Sequence, residues 1–149
     1  MPTELSACVT LQDGLRFAGT DRSSSTVYLD ATAAEGGGTA PTPMELLLIS
    51  LAGCSAMDVI AILRKKRQSV EHLDVRARGQ RRDEHPTVFT AIDLEYIIHG
   101  TDVDPVAVER AIELSRDRYC PVWAMLGKSV RIRSVFRIVS DEPVLVPAD

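Results

Sequence analysis

The fold of this chain is decided by residues 42–59, which read TPMELLLISLAGCSAMDV. Thr42 can cap a helix, Pro43 suits its first position, and Glu45 completes a capping box three residues after Thr42. We therefore predict a helix that begins at Pro43 and runs to about Arg67. Because apolar residues surround most of its circumference, this helix must be covered on several sides.

The same helix must be tested as a membrane span. Its apolar segment, residues 46–63, is only marginally long enough to cross a bilayer. Asp58 interrupts the segment and the basic run RKKR follows it directly. We therefore expect a buried central helix and no membrane association.

Length and composition indicate a soluble globular protein. The 149 residues suit one domain, so we predict a single domain over residues 1–149. The net charge of −4 argues against a nucleic-acid-binding surface, and we expect no nucleic-acid partner.

The N-terminus lacks a basic region followed by an apolar run, so we predict no signal peptide and a cytoplasmic location. In a reducing cytoplasm, a cysteine pair is more plausibly catalytic, metal-binding or buried than a lasting structural disulfide.

The rest of the chain predicts the element order β-β-β-α-β-β-α-α-β. Strict alternation over residues 4–12 indicates a half-buried strand, and Asp13-Gly14 indicates a hairpin turn into the next strand. Asp104-Pro105 opens a helix that should run to about Tyr119. The remaining predicted segments are strands at 15–18, 26–30, 70–80, 88–98 and 130–139, a short helix at 122–126, and an extended tail at 141–149.

Two cysteines in unlike settings are the main candidates for chemistry. Cys120 directly precedes Pro121 and should cap a short helix, where unpaired N–H groups and the helix dipole favour a thiolate. Cys54 lies 66 residues earlier, inside the long helix, where backbone groups are already paired. Taken by itself, Cys54 is expected to be a small core residue.

Other chemical motifs are weak. Cys8 lies on the polar face of the first strand with no partner in view. His72, His85 and His99 show no metal-ligand spacing, and the chain has no Cys-x-x-Cys motif, phosphate loop or dinucleotide fingerprint. We therefore expect no metal and no cofactor.

The helix sequence GG…PTPMELLLISLAGCSAMDV and the later segment SRDRYCPV together resemble the OsmC/Ohr family of thiol-dependent peroxidases. The resemblance extends over most of the chain in element order. It implies an α+β fold in which antiparallel sheets wrap around long central helices in an intertwined homodimer. The partner subunit would then cover much of the apolar helix.

The resemblance also implies roles for the two thiols. Cys54 would attack the terminal oxygen of an organic hydroperoxide and become a sulfenic acid, and Cys120 would condense with it to a disulfide. A dithiol such as a dihydrolipoyl protein would be the reductant. The helix-dipole argument favoured Cys120, and not Cys54, as the ionised thiol. The two interpretations agree if a residue distant in sequence brings a positive charge to Cys54, because an adjacent positive charge lowers a thiol pKa.

In the family, an arginine from the N-terminal strands supplies that charge and a glutamate at the helix start orients it. Arg16 is our candidate for the arginine, with Arg22 as an alternative, and Glu45 is the candidate glutamate. In the best-studied members the glutamate directly follows the helix proline, where this chain has Met44. One residue turns a helix by about 100°, so we prefer the capping-box role for Glu45.

Three hypotheses for function follow. The first is a cytoplasmic cysteine-based peroxidase that reduces organic hydroperoxides. The second is a non-catalytic dimer of the same fold whose interfacial cleft binds a small apolar or sulfur-containing ligand, which the substitution at Met44 motivates. The third and remotest is a zinc ion bound by the thiol pair.

Overall fold

The computed structural model describes residues 3–140, and the predicted tail at 141–149 lies outside them. The observed order of elements is the predicted one, with a π-helical turn added before the second cysteine. The elements are β1 (Ala7–Asp13), β2 (Arg16–Asp21), β3 (Thr26–Leu29), α1 (Pro43–Lys65), β4 (Ser69–Arg81), β5 (Phe89–Thr101), α2 (Pro105–Leu114), the π-helical turn (Ser115–Tyr119), α3 (Pro121–Leu126) and β6 (Arg131–Ser140). The α+β class is therefore confirmed.

The chain divides into two compact units, one up to Leu47 and one from Leu48 onward. The N-terminal unit holds a three-stranded antiparallel sheet in the order β1-β2-β3. Gly14 has φ of 53° in the tight turn between β1 and β2, a conformation that glycine adopts without steric cost. The predicted first hairpin is confirmed.

One prediction for the N-terminal unit is wrong for the single chain. Strand β1 was expected to be half-buried, yet all seven of its residues are exposed, Val9 and Leu11 at 58% each. The N-terminal unit contains one three-stranded sheet and only the start of α1. It therefore has no second layer that could cover β1. Val9 instead lines an open apolar hollow with Phe17 and Leu29.

The C-terminal unit contains a second three-stranded sheet in the order β4-β5-β6. β4 and β5 form the predicted antiparallel hairpin, but β6 runs parallel to β5, so the expectation of antiparallel pairing throughout needs correction. The chain reaches β6 through α2, the π-helical turn and α3. Such a helical crossover returns the chain to the end from which β5 began, which makes the pairing parallel.

β5 lies at the centre of this sheet and supplies much of the core. Alternate residues along it are buried, as expected for a strand with one covered face. Helix α2 contributes a buried stripe to the same unit. The buried residues of the two elements include Ile92, Leu94, Tyr96 and Ile98 of β5 and Ala107, Val108, Ala111 and Ile112 of α2.

Helix α1 begins as predicted. The Thr42 backbone N–H and hydroxyl both donate to Glu45 Oε1, at 3.1 and 2.8 Å, and the Glu45 N–H donates to Thr42 Oγ1 at 3.3 Å. The helix ends at Lys65, two residues before the predicted end, and Arg67 follows with φ of 56°, outside helical geometry.

Helix α1 is long and apolar enough to cross a membrane by length and composition alone. Its buried residues form one stripe, and only 28% of its most apolar 18-residue window is buried in the single chain. The single chain therefore covers one face of the helix and leaves much apolar surface open.

Candidate functional site

The fold brings the two candidate thiols together. The Sγ atoms of Cys54 and Cys120 and a carboxylate oxygen of Asp58 all lie within 4.8 Å of one another. Cys54 is half-buried on α1, whereas Cys120 is 2% exposed. The site therefore has one accessible thiol and one buried thiol.

Cys120 is positioned by the junction between α2 and α3. The π-helical turn closes when the Cys120 N–H donates to the Ser115 carbonyl at 2.8 Å. Pro121 then begins α3, and the Trp123 N–H donates to Cys120 Sγ at 3.3 Å. The predicted role of Cys120 as a helix cap is confirmed.

The expectation that capping makes Cys120 a thiolate is wrong. Burial raises the pKa of the Cys120 thiol to about 12. Its hydrogen bond with Cys54 and the charges of Cys54 and Asp58 raise that pKa further, while the Trp123 N–H lowers it. One N–H of a six-residue helix does not offset the loss of water around the sulfur. Cys120 therefore keeps its proton at neutral pH.

Asp58 connects the thiols to a buried chain of hydroxyl groups. Asp58 Oδ2 accepts a hydrogen bond from Ser115 Oγ at 3.0 Å, and Ser115 Oγ lies 2.8 Å from Ser55 Oγ. Ser55 Oγ lies 2.6 Å from the hydroxyl of Tyr96. We call these four residues the hydroxyl network. Its three hydroxyl residues are completely buried, and every buried side-chain nitrogen or oxygen in residues 3–140 has a partner.

Desolvation raises the pKa of Tyr96 to about 12, although its hydrogen bond with Ser55 acts in the opposite direction. The phenol is therefore neutral at pH 7 and can donate a hydrogen bond within the hydroxyl network. Tyr96 comes from β5, Ser115 from the π-helical turn, and Ser55 and Asp58 from α1. Three separate elements thus meet at one polar cluster beside the thiols.

The hydroxyl network was not predicted from the sequence. One signal was present: Asp58 follows Cys54 by four residues, which places both on the same face of a helix. An acidic residue within an apolar helix face could therefore have been linked to the thiol. Ser115 and Tyr96 carry no comparable local signal, because only the tertiary fold brings them to α1.

The predicted supporting residues have local partners in the N-terminal unit. Glu45 is held by Thr42 in the capping box, and these hydrogen bonds, led by the backbone N–H, lower the pKa of the Glu45 carboxyl. Arg16 donates to Gln12 Oε1 at 2.9 Å and to Thr39 Oγ1 at 2.7 Å. Each residue thus has a structural role, and the catalytic roles expected for them stay predictions.

Further contacts fix Arg16 and distinguish it from its alternative. The guanidinium of Arg16 lies 4.5 Å from the ring centroid of Tyr28, a cation–π distance. Arg22 lies in the turn that follows β2. Arg16 is therefore the more firmly held of the two candidate arginines.

A groove of about 420 Å³ opens beside Asp58 in the C-terminal unit. Apolar side chains make up much of its lining, and two lysines line it at and just beyond the end of α1, about two helical turns after Asp58. The other lining residues are Ala61, Ile62, Lys65, Lys66, Leu114 and Tyr119. The thiol site therefore has an adjoining space that could hold an apolar organic group.

Comparison with known proteins gives a consistent family match. Residues 36–135 match the family model described as OsmC-like protein. The chain is 40% identical over 136 residues to Protein YhfA of Escherichia coli K12, which covers 91% of this chain and 99% of YhfA. These matches agree with the resemblance noted in the sequence.

Solved structures show the same fold. A hypothetical protein from Aquifex aeolicus VF5 matches with a TM-score of 0.84 at 29% identity, covering 95% of this chain and 100% of its own. An organic hydroperoxide resistance protein OsmC from Legionella pneumophila matches with a TM-score of 0.67 at 15% identity, covering 90% and 96%. The second likeness is one of fold alone.

Proposed function

This chain belongs to the OsmC-like protein family, and on that premise we propose that it is a cysteine-based peroxidase that reduces organic hydroperoxides in oxidative-stress defence. The observation that carries the proposal is the approach of Cys54 and Cys120, whose sulfur atoms lie within 4.8 Å despite 66 residues of separation. A fold relative from Legionella pneumophila bears the name organic hydroperoxide resistance protein, which supports this substrate class.

In the proposed reaction, Cys54 is the attacking thiol and Cys120 is the resolving thiol. Cys54 is the more accessible of the two, and Cys120 holds its proton at neutral pH. The Cys54 sulfur attacks the terminal oxygen of the hydroperoxide, the O–O bond breaks, and the alkoxide leaves. Proton transfer gives an alcohol, and Cys54 becomes a sulfenic acid.

The buried thiol suits the second half of this reaction. Cys120 can give its proton to the leaving alkoxide and, now a thiolate, attack the sulfenic sulfur of Cys54. The S–O bond breaks, hydroxide leaves and takes a proton from solvent to become water, and the disulfide forms. Disulfide formation needs a sulfur–sulfur distance of about 2.05 Å, so the two side chains must move closer than in the reduced form. A dithiol reductant, for which a dihydrolipoyl protein is the family's example, would then restore both thiols.

We also propose that the protein acts as an intertwined homodimer in the reducing cytoplasm. Two exposed apolar surfaces support the dimer: much of α1, and strand β1 with Val9 and Leu11. A large exposed apolar surface is typical of an interaction site rather than of a monomer surface. Size-exclusion chromatography with light scattering should give twice the chain mass of 16.3 kDa.

Variants of the three cysteines test the peroxidase proposal. With cumene hydroperoxide and a dithiol, Cys54→Ser should abolish turnover, because the attacking sulfur is removed. Cys120→Ser should lose one thiol stoichiometrically and accumulate a sulfenic acid, because no resolving thiol remains. Cys8→Ser is the matched control and should behave as wild type, since Cys8 is an exposed thiol of the N-terminal unit.

The oxidised wild-type protein should contain a Cys54–Cys120 disulfide in peptide mass spectra. Equal peroxide consumption by wild type and Cys54→Ser would refute the proposal. The candidate arginines are separated by comparing Arg16→Met with Arg22→Met. We expect the first to lower the rate of Cys54 oxidation and the second to leave it unchanged.

A second function is favoured by one observation, the carboxylate of Asp58 beside the two sulfurs. The carboxylate of Asp58 is among the groups that raise the pKa of the Cys120 thiol, which opposes formation of a Cys120 thiolate. A non-catalytic dimer that binds a small apolar or sulfur-containing ligand would tolerate this arrangement. Saturable stabilisation against unfolding by such a ligand, together with slow thiol oxidation by hydroperoxide, would favour this function over the peroxidase.

A further inference from the structure

Three atoms of the kinds that bind metal ions converge at the end of the hydroxyl network. They are Cys54 Sγ, Cys120 Sγ and one carboxylate oxygen of Asp58, all within 4.8 Å of one another. Cys54 and Asp58 are four residues apart on α1 and so project from the same face, while Cys120 arrives from the junction after the π-helical turn. Two elements thus supply three of the four ligands that a tetrahedral site needs.

Within the described part of the C-terminal unit, residues 48–140, no lysine or arginine forms an ion pair or hydrogen bond with this cluster. No arginine or lysine there donates a hydrogen bond to Asp58, whose partner is Ser115. The basic residues nearest in sequence to Cys120 are engaged elsewhere: Arg116 pairs with Asp117 at 2.7 Å, and Arg118 lies 5.4 Å from the ring of Tyr119. Two thiols and a carboxylate that no side-chain cation of this unit is bonded to form a site suited to a metal cation.

The hydroxyl network provides the outer support that a metal site requires. Ser115 holds Asp58 Oδ2 at 3.0 Å, which fixes the carboxylate and leaves its other oxygen free to bind. Ser55 and Tyr96 in turn hold Ser115 in place. Groups that orient metal ligands in this way strongly influence metal affinity.

The distances suit a small ion with sulfur ligands. A tetrahedral zinc site with Zn–S of about 2.3 Å and Zn–O of about 2.1 Å places its donor atoms about 3.5–3.8 Å apart. The three donor atoms lie at most 4.8 Å apart, so a bound ion would draw them closer together. Magnesium and calcium are unsuited, because both prefer sites built entirely of oxygen ligands.

We propose that Cys54, Cys120 and Asp58 bind one thiophilic divalent cation of the zinc class, with a fourth position open towards solvent. This inference goes beyond the proposed peroxidase; it favours the zinc hypothesis raised from the sequence over the expectation of no metal. Because the ion would use both sulfurs, metal binding and reaction with hydroperoxide would exclude each other. The metal would thereby protect the reduced thiol pair.

Cobalt is the probe of choice, because a thiolate–Co²⁺ bond gives charge-transfer absorption in the near ultraviolet. The full-length, chelator-stripped and fully reduced protein is titrated with Co²⁺ without oxygen. We expect saturation at one Co²⁺ per chain, visible bands of a tetrahedral site, and displacement by Zn²⁺. The experiment contains no hydroperoxide, so its result is independent of the peroxidase assay.

Substitutions locate the site. Cys120→Ser should remove most of the charge-transfer absorption, and Asp58→Asn should weaken Co²⁺ binding at least tenfold while leaving the sulfur bands in place. Ser115→Ala should weaken binding by about tenfold, because it releases the Asp58 carboxylate. Cys8→Ser is the matched control and should titrate as wild type.

Far-ultraviolet circular dichroism of each variant verifies its fold. If Cys120→Ser does not fold, Cys54→Ala serves the same purpose. Absence of charge-transfer absorption in wild type would overturn the proposal, as would unchanged absorption in both cysteine variants. A wild type that reduces hydroperoxides but binds no Co²⁺ would refute this inference alone and leave the peroxidase in place.

Discussion

Two polar clusters of this protein, the start of α1 in the N-terminal unit and the hydroxyl network in the C-terminal unit, are assembled in opposite ways. In the N-terminal unit, polar groups satisfy nearby loops and helix ends: Thr42 and Glu45 cap α1, and Asp30 accepts from the N–H and hydroxyl of Thr39. In the C-terminal unit, Asp58 and Ser115 are joined across 57 residues at a buried site. The helix start is organised by contacts between residues near in sequence, and the hydroxyl network by contacts between residues far apart.

This difference indicates which region of the chain can form a reactive site. Local hydrogen bonds such as those of the capping box are satisfied as the helix forms, and they leave no group poised for reaction. The cluster of Cys54, Cys120 and Asp58, in which Cys120 is buried and the other two are half-buried, forms only when separate elements pack together. Because little water reaches Cys120, the pKa of its thiol is raised. At the protein surface, hydration of the thiolate would oppose this shift.

Replacing one leucine by alanine in each unit should give the largest difference in the free energy of unfolding. Leu94 is completely buried in β5, whereas Leu11 is 58% exposed in β1. Leu94→Ala should lower the free energy of unfolding by about 2–5 kcal/mol, because it leaves a cavity in the core. Leu11→Ala should cost less than about 0.5 kcal/mol for the single chain. Urea denaturation measures both.

A large effect of Leu11→Ala that depends on protein concentration would contradict the single-chain expectation and support burial of β1 in the proposed dimer.

Breaking the hydroxyl network should have the next largest effect. Ser115→Ala removes hydrogen bonds to both Asp58 and Ser55, so it should destabilise the protein by about 1–3 kcal/mol. Ser50→Ala is the matched control, because Ser50 is an exposed serine of α1. Its effect should lie within about 0.5 kcal/mol. Similar effects of the two changes would mean that the network adds nothing to stability.

Removing the helix cap should have a smaller effect confined to the start of α1. Thr42→Ala should lower the free energy of unfolding by about 1 kcal/mol, because it removes the side-chain acceptor of the Glu45 N–H. Thr26→Ala, at an exposed position in β3, is a suitable control. A cap variant as stable as the control would argue against the capping box.

The capping box also predicts a dependence on pH. Hydrogen bonds from Thr42 lower the pKa of Glu45 in the folded protein, so the stabilisation is complete above the unfolded-state pKa. It should be lost as the pH falls through the lower folded-state value. The stability difference between wild type and Glu45→Gln should therefore shrink on acidification, and a difference that grows would contradict this sign.

The smallest expected effect is at Gly53, next to Cys54. A methyl group added there meets no atom within 4 Å in the single chain. Gly53→Ala should raise the stability of the helix by up to about 1 kcal/mol, because alanine favours a helix interior. A loss of stability in thermal unfolding would instead indicate that a second chain packs closely against Gly53.

Much of the fold could be predicted from local patterns. The capping box fixed the start of α1, and Asp13-Gly14 fixed the first hairpin. The parallel pairing of β6 could not be predicted, since strand periodicity carries no information about direction. The exposure of β1 was also missed, because alternation predicts two unlike faces but does not reveal whether anything covers the apolar one.

The sequence by itself determined the element order, the helix cap and the two cysteines worth examining, because each depends on residues a few positions apart. Only the tertiary structure decided which groups meet: Cys54 with Cys120, Asp58 with Ser115, and Ser55 with Tyr96. It also reversed the expectation for Cys120, because burial outweighs the favourable N–H of a short helix. Proximity and desolvation arise from packing, and no local stretch of sequence contains them.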